Sequence, residues 1–170
     1  MFNAIDSVPL TAIAFFMLTG ELMTSATITD RLVALSRALI GRIRGGLAQV
    51  NVLVSMFFAG MNGSVVADTA TVGALVLPAM KKAGYPAAFS AAVTGVSSTI
   101  GGIIPPSIMM IVLANSTEIS IAALFAAGII PGVLIGVVIM IINHYFAIKY
   151  NFERSDEPFS IRRAGRELYR

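Results

Sequence analysis

The chain has 170 residues, 56% of them hydrophobic and 12% charged, with a net charge of +3 and no cysteine. That balance excludes an ordinary soluble domain, a disulfide framework and a thiolate metal site, and it places the chain among integral membrane proteins. The lone His144 cannot build a metal centre by itself.

Basic residues gather in three places: between Arg31 and Arg44, at Lys81-Lys82, and between Lys149 and Arg170. The polar stretches at 3–7 and 115–118 carry no positive charge. By the positive-inside rule the three clusters are cytoplasmic and the two other stretches face the opposite side. The clusters are thus topology signals in a lipid bilayer, and no nucleic-acid partner is expected. A cleavable signal sequence is not expected either, because no basic segment follows Met1 and no small-residue cleavage site precedes the first apolar run.

In chain order, residues 1–25 read as a transmembrane helix, although the apolar run over 8–23 is short of the roughly 20 residues of a perpendicular span. Glu21, near its basic end, is read as snorkelling to the interface. Residues 26–47 open with Thr27 and Asp30 at capping-box spacing. Beyond them Ile28, Leu32, Leu35, Leu39, Ile43 and Leu47 share one helical face, and Arg31, Arg37, Arg42 and Arg44 fall off it. Two readings fit equally: an amphipathic arm helix lying in the membrane interface, or a tilted connector packed on other helices.

Residues 48–84 are flanked at both ends by basic clusters, so the chain must leave the cytoplasmic side and return to it. Each leg, 48–60 and 65–80, falls short of the roughly 20 residues a full crossing needs. The economical solution is a re-entrant helical hairpin whose tip, Met61-Asn62-Gly63-Ser64, stops near mid-membrane. Pro78 and Gly84-Tyr85-Pro86 are expected to end the second leg.

Residues 85–118 cross outward as a broken transmembrane helix, because Gly101-Gly102 and Pro105-Pro106 cannot sit in an uninterrupted one. The break falls level with the hairpin tip. Unpaired backbone groups in lipid cost several kcal/mol, so two such breaks survive only where they line an enclosed or watered cavity. Residues 119–150 return inward as a long transmembrane helix, with Gly128, Gly132 and Gly136 at the spacing of close helix packing. Residues 151–170 read as a charged cytoplasmic connector.

At a helix break, carbonyl oxygens freed from helical bonding join hydroxyl and amide oxygens in a neutral, hard-oxygen cage that suits Na⁺. The expected sodium ligands are at Asn62, Val65, Gly101, Ile104 and Pro106. Ser64, Asp68, Ser98, Thr99 and Ser107 form the expected substrate-facing set, with the oxygens of Ser64, Ser98 and Thr99 also able to join the cage. For an isolated hydroxyl, ordinary interhelical bonding is the better reading, and only co-location at two breaks of equal depth argues for the group.

Asp68 stays open between two roles. A carboxylate within a membrane segment costs roughly 2.5–3.5 kcal/mol, so it needs a reason to be there. Either its charge raises cation occupancy or takes part in proton transfer, or it simply sits where a helix N-terminus stabilises it. Half-helices beginning near Ser64 and Ser107 would point their positive ends at the same region, which favours an organic anion beside the cation.

Three stretches carry a resemblance: Gly60-Met61-Asn62-Gly63-Ser64-Val65-Val66-Ala67-Asp68, Pro78-Ala79-Met80-Lys81-Lys82-Ala83-Gly84-Tyr85, and Ser98-Thr99-Ile100-Gly101-Gly102-Ile103-Ile104-Pro105-Pro106-Ser107. With Gly20-Glu21-Leu22-Met23, Arg44-Gly45-Gly46-Leu47-Ala48 and Ala127-Gly128-Ile129-Ile130-Pro131-Gly132, the chain resembles the large membrane subunit of tripartite ATP-independent periplasmic (TRAP) transporters. The resemblance implies a sodium-driven importer of carboxylate-bearing solutes, such as dicarboxylates or sugar acids, in a bacterial inner membrane. Its implied partners are a small membrane subunit and a periplasmic solute-binding protein. It implies an elevator-type transporter of two inverted repeats, of which this chain resembles the first, and such a half is not expected to transport alone. In that frame the tip around Asn62 to Val65 and the break around Gly101 to Pro106 correspond to one repeat's sodium site, and Arg31 to Arg44 to an interfacial arm. The family's tip more often has serine where Asn62 stands, and Tyr-Gly is frequent where this chain has Leu113-Ala114.

The expected fold is therefore all-α and integral to the membrane, with a re-entrant hairpin and a broken helix forming one half of the transporter. A divalent-anion/sodium symporter of related fold, working without a binding protein, and a purely structural membrane subunit are the alternatives. No enzyme is expected, since an intramembrane aspartyl protease would need a second carboxylate in another core span. Nor is a Gly-x-x-x-x-Gly-Lys-Ser/Thr loop present for ATP-driven pumping.

Overall fold

A central apolar helix, surrounded by its neighbours, organises the protein. The computed structural model describes residues 28–40 and 43–152, together with positions 11, 13–15, 17–19 and 22. The expectations on Glu21 and on the connector beyond residue 152 lie outside the described residues, as does most of what was expected of residues 1–25. All regular structure among the described residues is helical. In chain order it comprises α1 (Ile28–Ile40), α2 (Gly46–Asn62), α3 (Val65–Lys82), α4 (Ala87–Ser98), a 3₁₀ turn (Thr99–Gly102), α5 (Ile108–Thr117) and α6 (Ile121–Lys149).

Helix α2 packs against α1, α3, α4 and α6, and Val50, Val52, Val54 and Phe58 are wholly buried along it. Burial on every side is what a helix apolar all round requires. Gly45 starts α2 from the left-handed region, at φ 73°, and a Cβ there would lie 2.5 Å from the Ala147 Cβ of α6. This turn ends the arm early. Helix α1 therefore stops at Ile40, and Ile43 and Leu47 do not continue its face.

The buried side of α1 also differs from the expected stripe. Leu32, Val33 and Ile40 pack on the core and Ser36 is fully buried, whereas Leu39 and Ile43 are exposed. Helix α1 packs on α2 through this rotated face.

Helices α2 and α3 have 17 and 18 residues, about 26 and 27 Å at 1.5 Å per residue. These legs are longer than the sequence boundaries implied, so leg length alone does not decide where the tip lies. Pro78 does not end the second leg but sits inside α3. Its missing donor faces the carbonyl of Ala74, and both residues are exposed, so the lost bond falls on the outer side of the helix. Termination comes instead at Gly84, with φ 80°.

Helix α6 runs for 29 residues with a mean hydropathy of 2.7 over its most apolar window. Among the described residues it is the one helix long and apolar enough to cross a membrane. Its three buried glycines do more than admit a neighbouring helix. A Cβ at Gly128 would meet the Ile103 carbonyl oxygen at 2.6 Å, one at Gly132 the Ile104 Cγ1 at 2.5 Å, and one at Gly136 the Met56 Sδ at 2.5 Å. The upper two thus seat the irregular segment that follows the 3₁₀ turn.

At the other end of α6, Tyr85 and Phe89 stack around Phe152, with ring centroids 4.5 and 5.1 Å away. Burial pushes the Tyr85 phenol above its ordinary range, with a backbone hydrogen bond at Leu47 pulling the other way.

Candidate functional site

The hairpin turn is two residues long because each residue has a capping task. Gly63 closes α2 in the left-handed region at φ 58°, its N–H donating to the Ala59 oxygen at 3.2 Å. Ser64 opens α3, its hydroxyl accepting from the Ala67 N–H at 3.4 Å. The Asn62 side-chain oxygen folds over the turn and accepts from the Ser64 N–H at 3.0 Å.

This tip sits directly in the break of the neighbouring helix. The Ile108 N–H donates to the Gly63 oxygen at 3.4 Å. A Cβ on Gly63 would run into the Pro106 carbonyl oxygen and lie 2.9 Å from the Ser107 Cα. A Cβ on Gly101 would lie 3.7 Å from the Ser64 carbonyl and one on Gly60 3.9 Å from the Pro105 oxygen, both ordinary contacts. At Gly63 only glycine permits backbone to approach backbone this closely.

Opposite the tip, α4 tightens into the 3₁₀ turn, and after the Ile103 and Ile104 N–H groups have bonded back to the Ile100 oxygen helical bonding is lost over residues 105–107. The carbonyl oxygens of Ile104, Pro105 and Pro106 accept no hydrogen bond from the described residues. These three residues are half-buried, and three unpartnered carbonyls in succession beside a glycine tip form a row of free hard-oxygen donors.

The expected site residues divide on inspection. Asn62, Ser64, Gly101, Ile104, Pro106 and Ser107 meet at the tip and break. Ser107 is engaged there as a structural clamp, donating to the Gly102 oxygen at 2.9 Å and accepting from the Met110 N–H at 3.5 Å. Val65 does not present its carbonyl to the cage, because as the first residue of α3 that oxygen points down the helix and accepts the Thr69 hydroxyl at 2.8 Å. The Thr99 side chain turns away, bonding its own helix at the Val96 oxygen at 2.7 Å on an exposed face. Ser98 and Asp68 lie fully buried below the tip rather than at it.

That buried level holds a polar cluster that the sequence reading passed over. The Asn51 amide donates to the Thr94 hydroxyl at 2.7 Å, the Ser97 hydroxyl donates to the Asn51 side-chain oxygen at 3.1 Å, and Ser55 lies 3.3 Å from Ser97. Asp68 lies against the Ser55 and Ser98 hydroxyls, yet neither of its oxygens makes a hydrogen bond of good geometry. The available signal was spacing: Asn51 with Ser55, and Thr94 with Ser97 and Ser98, are polar pairs at one-turn intervals in otherwise apolar segments.

Comparison with known proteins adds to this geometry. Residues 1–169 match the family described as "Tripartite ATP-independent periplasmic transporter, DctM component". The chain is 42% identical over 147 residues to a C4-dicarboxylate TRAP transporter large permease protein, DctM, of Pseudomonas aeruginosa, a match covering 86% of this chain and 34% of that protein. It is 41% identical to the sialic acid TRAP transporter permease protein SiaT of Haemophilus influenzae, over 89% of this chain and 25% of that one. It is likewise 41% identical to the 2,3-diketo-L-gulonate TRAP transporter large permease protein YiaN of Escherichia coli, over 91% and 36%. The chain thus spans between a quarter and little more than a third of the length of these relatives. With a match along almost its whole length and a glycine tip seated in a proline break, the chain belongs to the TRAP transporter large permease family.

Proposed function

We propose that this chain forms part of a sodium-driven secondary transporter that imports carboxylate-bearing organic anions across the bacterial inner membrane. Solute arrives on a periplasmic binding protein, and a small membrane subunit completes the membrane assembly. Relatives named for C4-dicarboxylate, sialic acid and 2,3-diketo-L-gulonate support an anionic carboxylate as the solute class. The observation that supports the sodium step is the row of unbonded carbonyls at Ile104, Pro105 and Pro106, with those of Pro105 and Pro106 set against Gly60 and Gly63.

In this reading Na⁺ is cargo, held by the carbonyls near Gly101, Ile104 and Pro106 with the Asn62 side-chain oxygen. Ser64 and Ser107, both helix N-caps, set the positive ends of α3 and α5 beside that charge, where a carboxylate of the solute would be drawn. The hairpin and broken helix travel together as one half of an elevator-type carriage.

The test is uptake of a labelled carboxylate by the full-length permease with its small subunit and binding protein in proteoliposomes. A Na⁺ gradient should be required, and Asn62→Ala should raise the Na⁺ concentration for half-maximal uptake by roughly tenfold, the scale for losing part of a metal's shell. Uptake indifferent to Na⁺ would overturn the sodium reading. Uptake that proceeds without the binding protein would instead favour the symporter alternative.

A further inference from the structure

Hydrogen-bond direction in the buried cluster can be followed from two fixed points. The Thr94 hydroxyl donates to the Ser90 carbonyl at 3.0 Å, and a carbonyl can only accept. Thr94 therefore has only lone pairs left for Asn51, which turns the Asn51 amide nitrogen toward Thr94 and its oxygen toward Ser97. The Ser97 hydroxyl lies 3.1 Å from that oxygen and 3.1 Å from the Thr94 carbonyl. Both are acceptors, so its hydrogen is committed to one of them. Ser55, at 3.3 Å, must then donate to Ser97. Ser98 donates to the Thr94 carbonyl at 2.8 Å.

The consequence falls on Asp68. In this hydrogen-bond pattern Ser55 and Ser98, the two hydroxyls beside it, direct their hydrogens to Ser97 and to the Thr94 carbonyl and turn lone pairs toward it. Both carboxylate oxygens are without partners, and the residue is wholly buried. Among the described residues of the helices packed around it, no cation answers this charge. Helices α2, α4 and α5 and the 3₁₀ turn carry no ionisable side chain. The other two on α3, Lys81 and Lys82, stand at its far end, roughly 20 Å along the axis at 1.5 Å per residue. On α6, His144 and Lys149 lie in its C-terminal part. In the first turn of α3 the Ala67 and Asp68 N–H groups go to the Ser64 hydroxyl and carbonyl, and no N–H donates to the Asp68 carboxylate.

Four oxygens, two from Asp68 and one each from Ser55 and Ser98, thus converge with no hydrogen among them. A single proton would serve one carboxyl oxygen and leave the other bare. A metal ion lying between them can meet both, together with the two hydroxyls, and one positive charge neutralises the carboxylate. The geometry points to a second cation site, built by Asp68, Ser55 and Ser98 below the tip and separate from the carbonyl cage, that takes a monovalent alkali cation. The choice of Na⁺ as that ion rests on the sodium-driven reading above, whereas the site itself rests on the buried hydrogen-bond pattern.

The experiment uses the full-length permease in its assembly, without solute, and Na⁺ alone as the probe. The Asp68 carboxyl adds its O–H across a C=N bond of a hydrophobic carbodiimide, the proton passing to nitrogen, and peptide mass spectrometry reads the resulting acylurea at constant pH. Na⁺ should protect Asp68, whereas choline at equal ionic strength should not. Ser55→Ala combined with Ser98→Ala keeps the carboxylate and should raise the half-protecting Na⁺ concentration by roughly tenfold or more. Equilibrium binding of ²²Na⁺ to Asp68→Asn, whose amide matches the carboxyl in shape, should lose one ion. Labelling unaffected by Na⁺, or an unchanged ion count in Asp68→Asn, would overturn the site. Protection abolished by Asn62→Ala but untouched by the serine pair would overturn it as well, assigning the ion to the tip, and a failure of the tip site alone would leave Asp68 protection in place.

Discussion

Gly63→Ala is the sharpest perturbation of the tip. The backbone at Gly63 sits at φ 58°, where a Cβ costs roughly 1–2 kcal/mol by itself. The new methyl would also be driven into the Pro106 carbonyl and lie 2.9 Å from the Ser107 Cα, both backbone groups that cannot rotate aside. Overpacking of this kind costs about 1–3 kcal/mol, so the total is about 2–5 kcal/mol. Two controls separate the contributions. Gly84→Ala has the same left-handed backbone, at φ 80°, but nothing within 4 Å of the added atom, so it should lose only the conformational part, roughly 1–2 kcal/mol. Gly95→Ala lies inside α4 in open space, and should be neutral or gain about 0.5–1 kcal/mol. The assay is thermal unfolding of the full-length permease with and without Na⁺. Gly63→Ala should show both the largest fall in midpoint and a diminished upward shift on adding Na⁺. If it unfolds no earlier than Gly84→Ala, the tip does not press on the break and the cage built from their contact is wrong.

Three further outcomes follow from the packing. Asn51→Ala should destabilise by roughly 1–3 kcal/mol, because Thr94 and Ser97 lose their shared partner in a fully buried site; Thr99→Val, on an exposed face, should stay within about 0.5 kcal/mol by the same unfolding assay. Gly132→Ala should cost about 1–3 kcal/mol by striking Ile104, and a double-mutant cycle with Ile104→Ala should recover much of that loss, whereas additive effects would count against the contact. At alkaline pH, Tyr85 should contribute a stability loss of its own. Its folded-state phenol titrates above the unfolded value of about 10, so the contribution is complete below that pH and disappears as pH rises through the folded value. Tyr85→Phe should flatten this alkaline limb in melting curves, and an unchanged limb would refute the assignment.

The composition and the positions of glycine and proline carried much of the architecture. An apolar chain with Gly63-Ser64 between two helical runs has a turn where left-handed backbone and an N-cap come together, and Pro105-Pro106 removes two donors wherever the chain goes. These are local constraints, so they can be read without knowing any neighbour. Family membership was legible for the same reason, since it rests on those runs of residues. Where sequence reasoning misled, a distant partner decided the outcome. Pro78 lies inside α3 because its gap faces outward, and α1 turns Ser36 rather than Leu39 toward α2. The carbonyl of Val65 is a local exception, turned along its own helix and taken by Thr69 four residues on.

The inward and outward faces of an all-apolar helix look alike along the chain, since periodicity has no contrast to act on when both sides are hydrophobic. Sequence by itself therefore determined where the helices break and which residue types could supply oxygen at those breaks. Only the tertiary structure decided that Gly63 is pressed against Pro106, that Gly128 and Gly132 carry the irregular segment, and that Asn51, Ser55, Thr94, Ser97 and Asp68 share one buried level. The physical reason is range: backbone strain and capping are settled within a few residues, whereas a hydrogen bond or a cation shell needs groups that only the packing of three helices brings within about 3 Å.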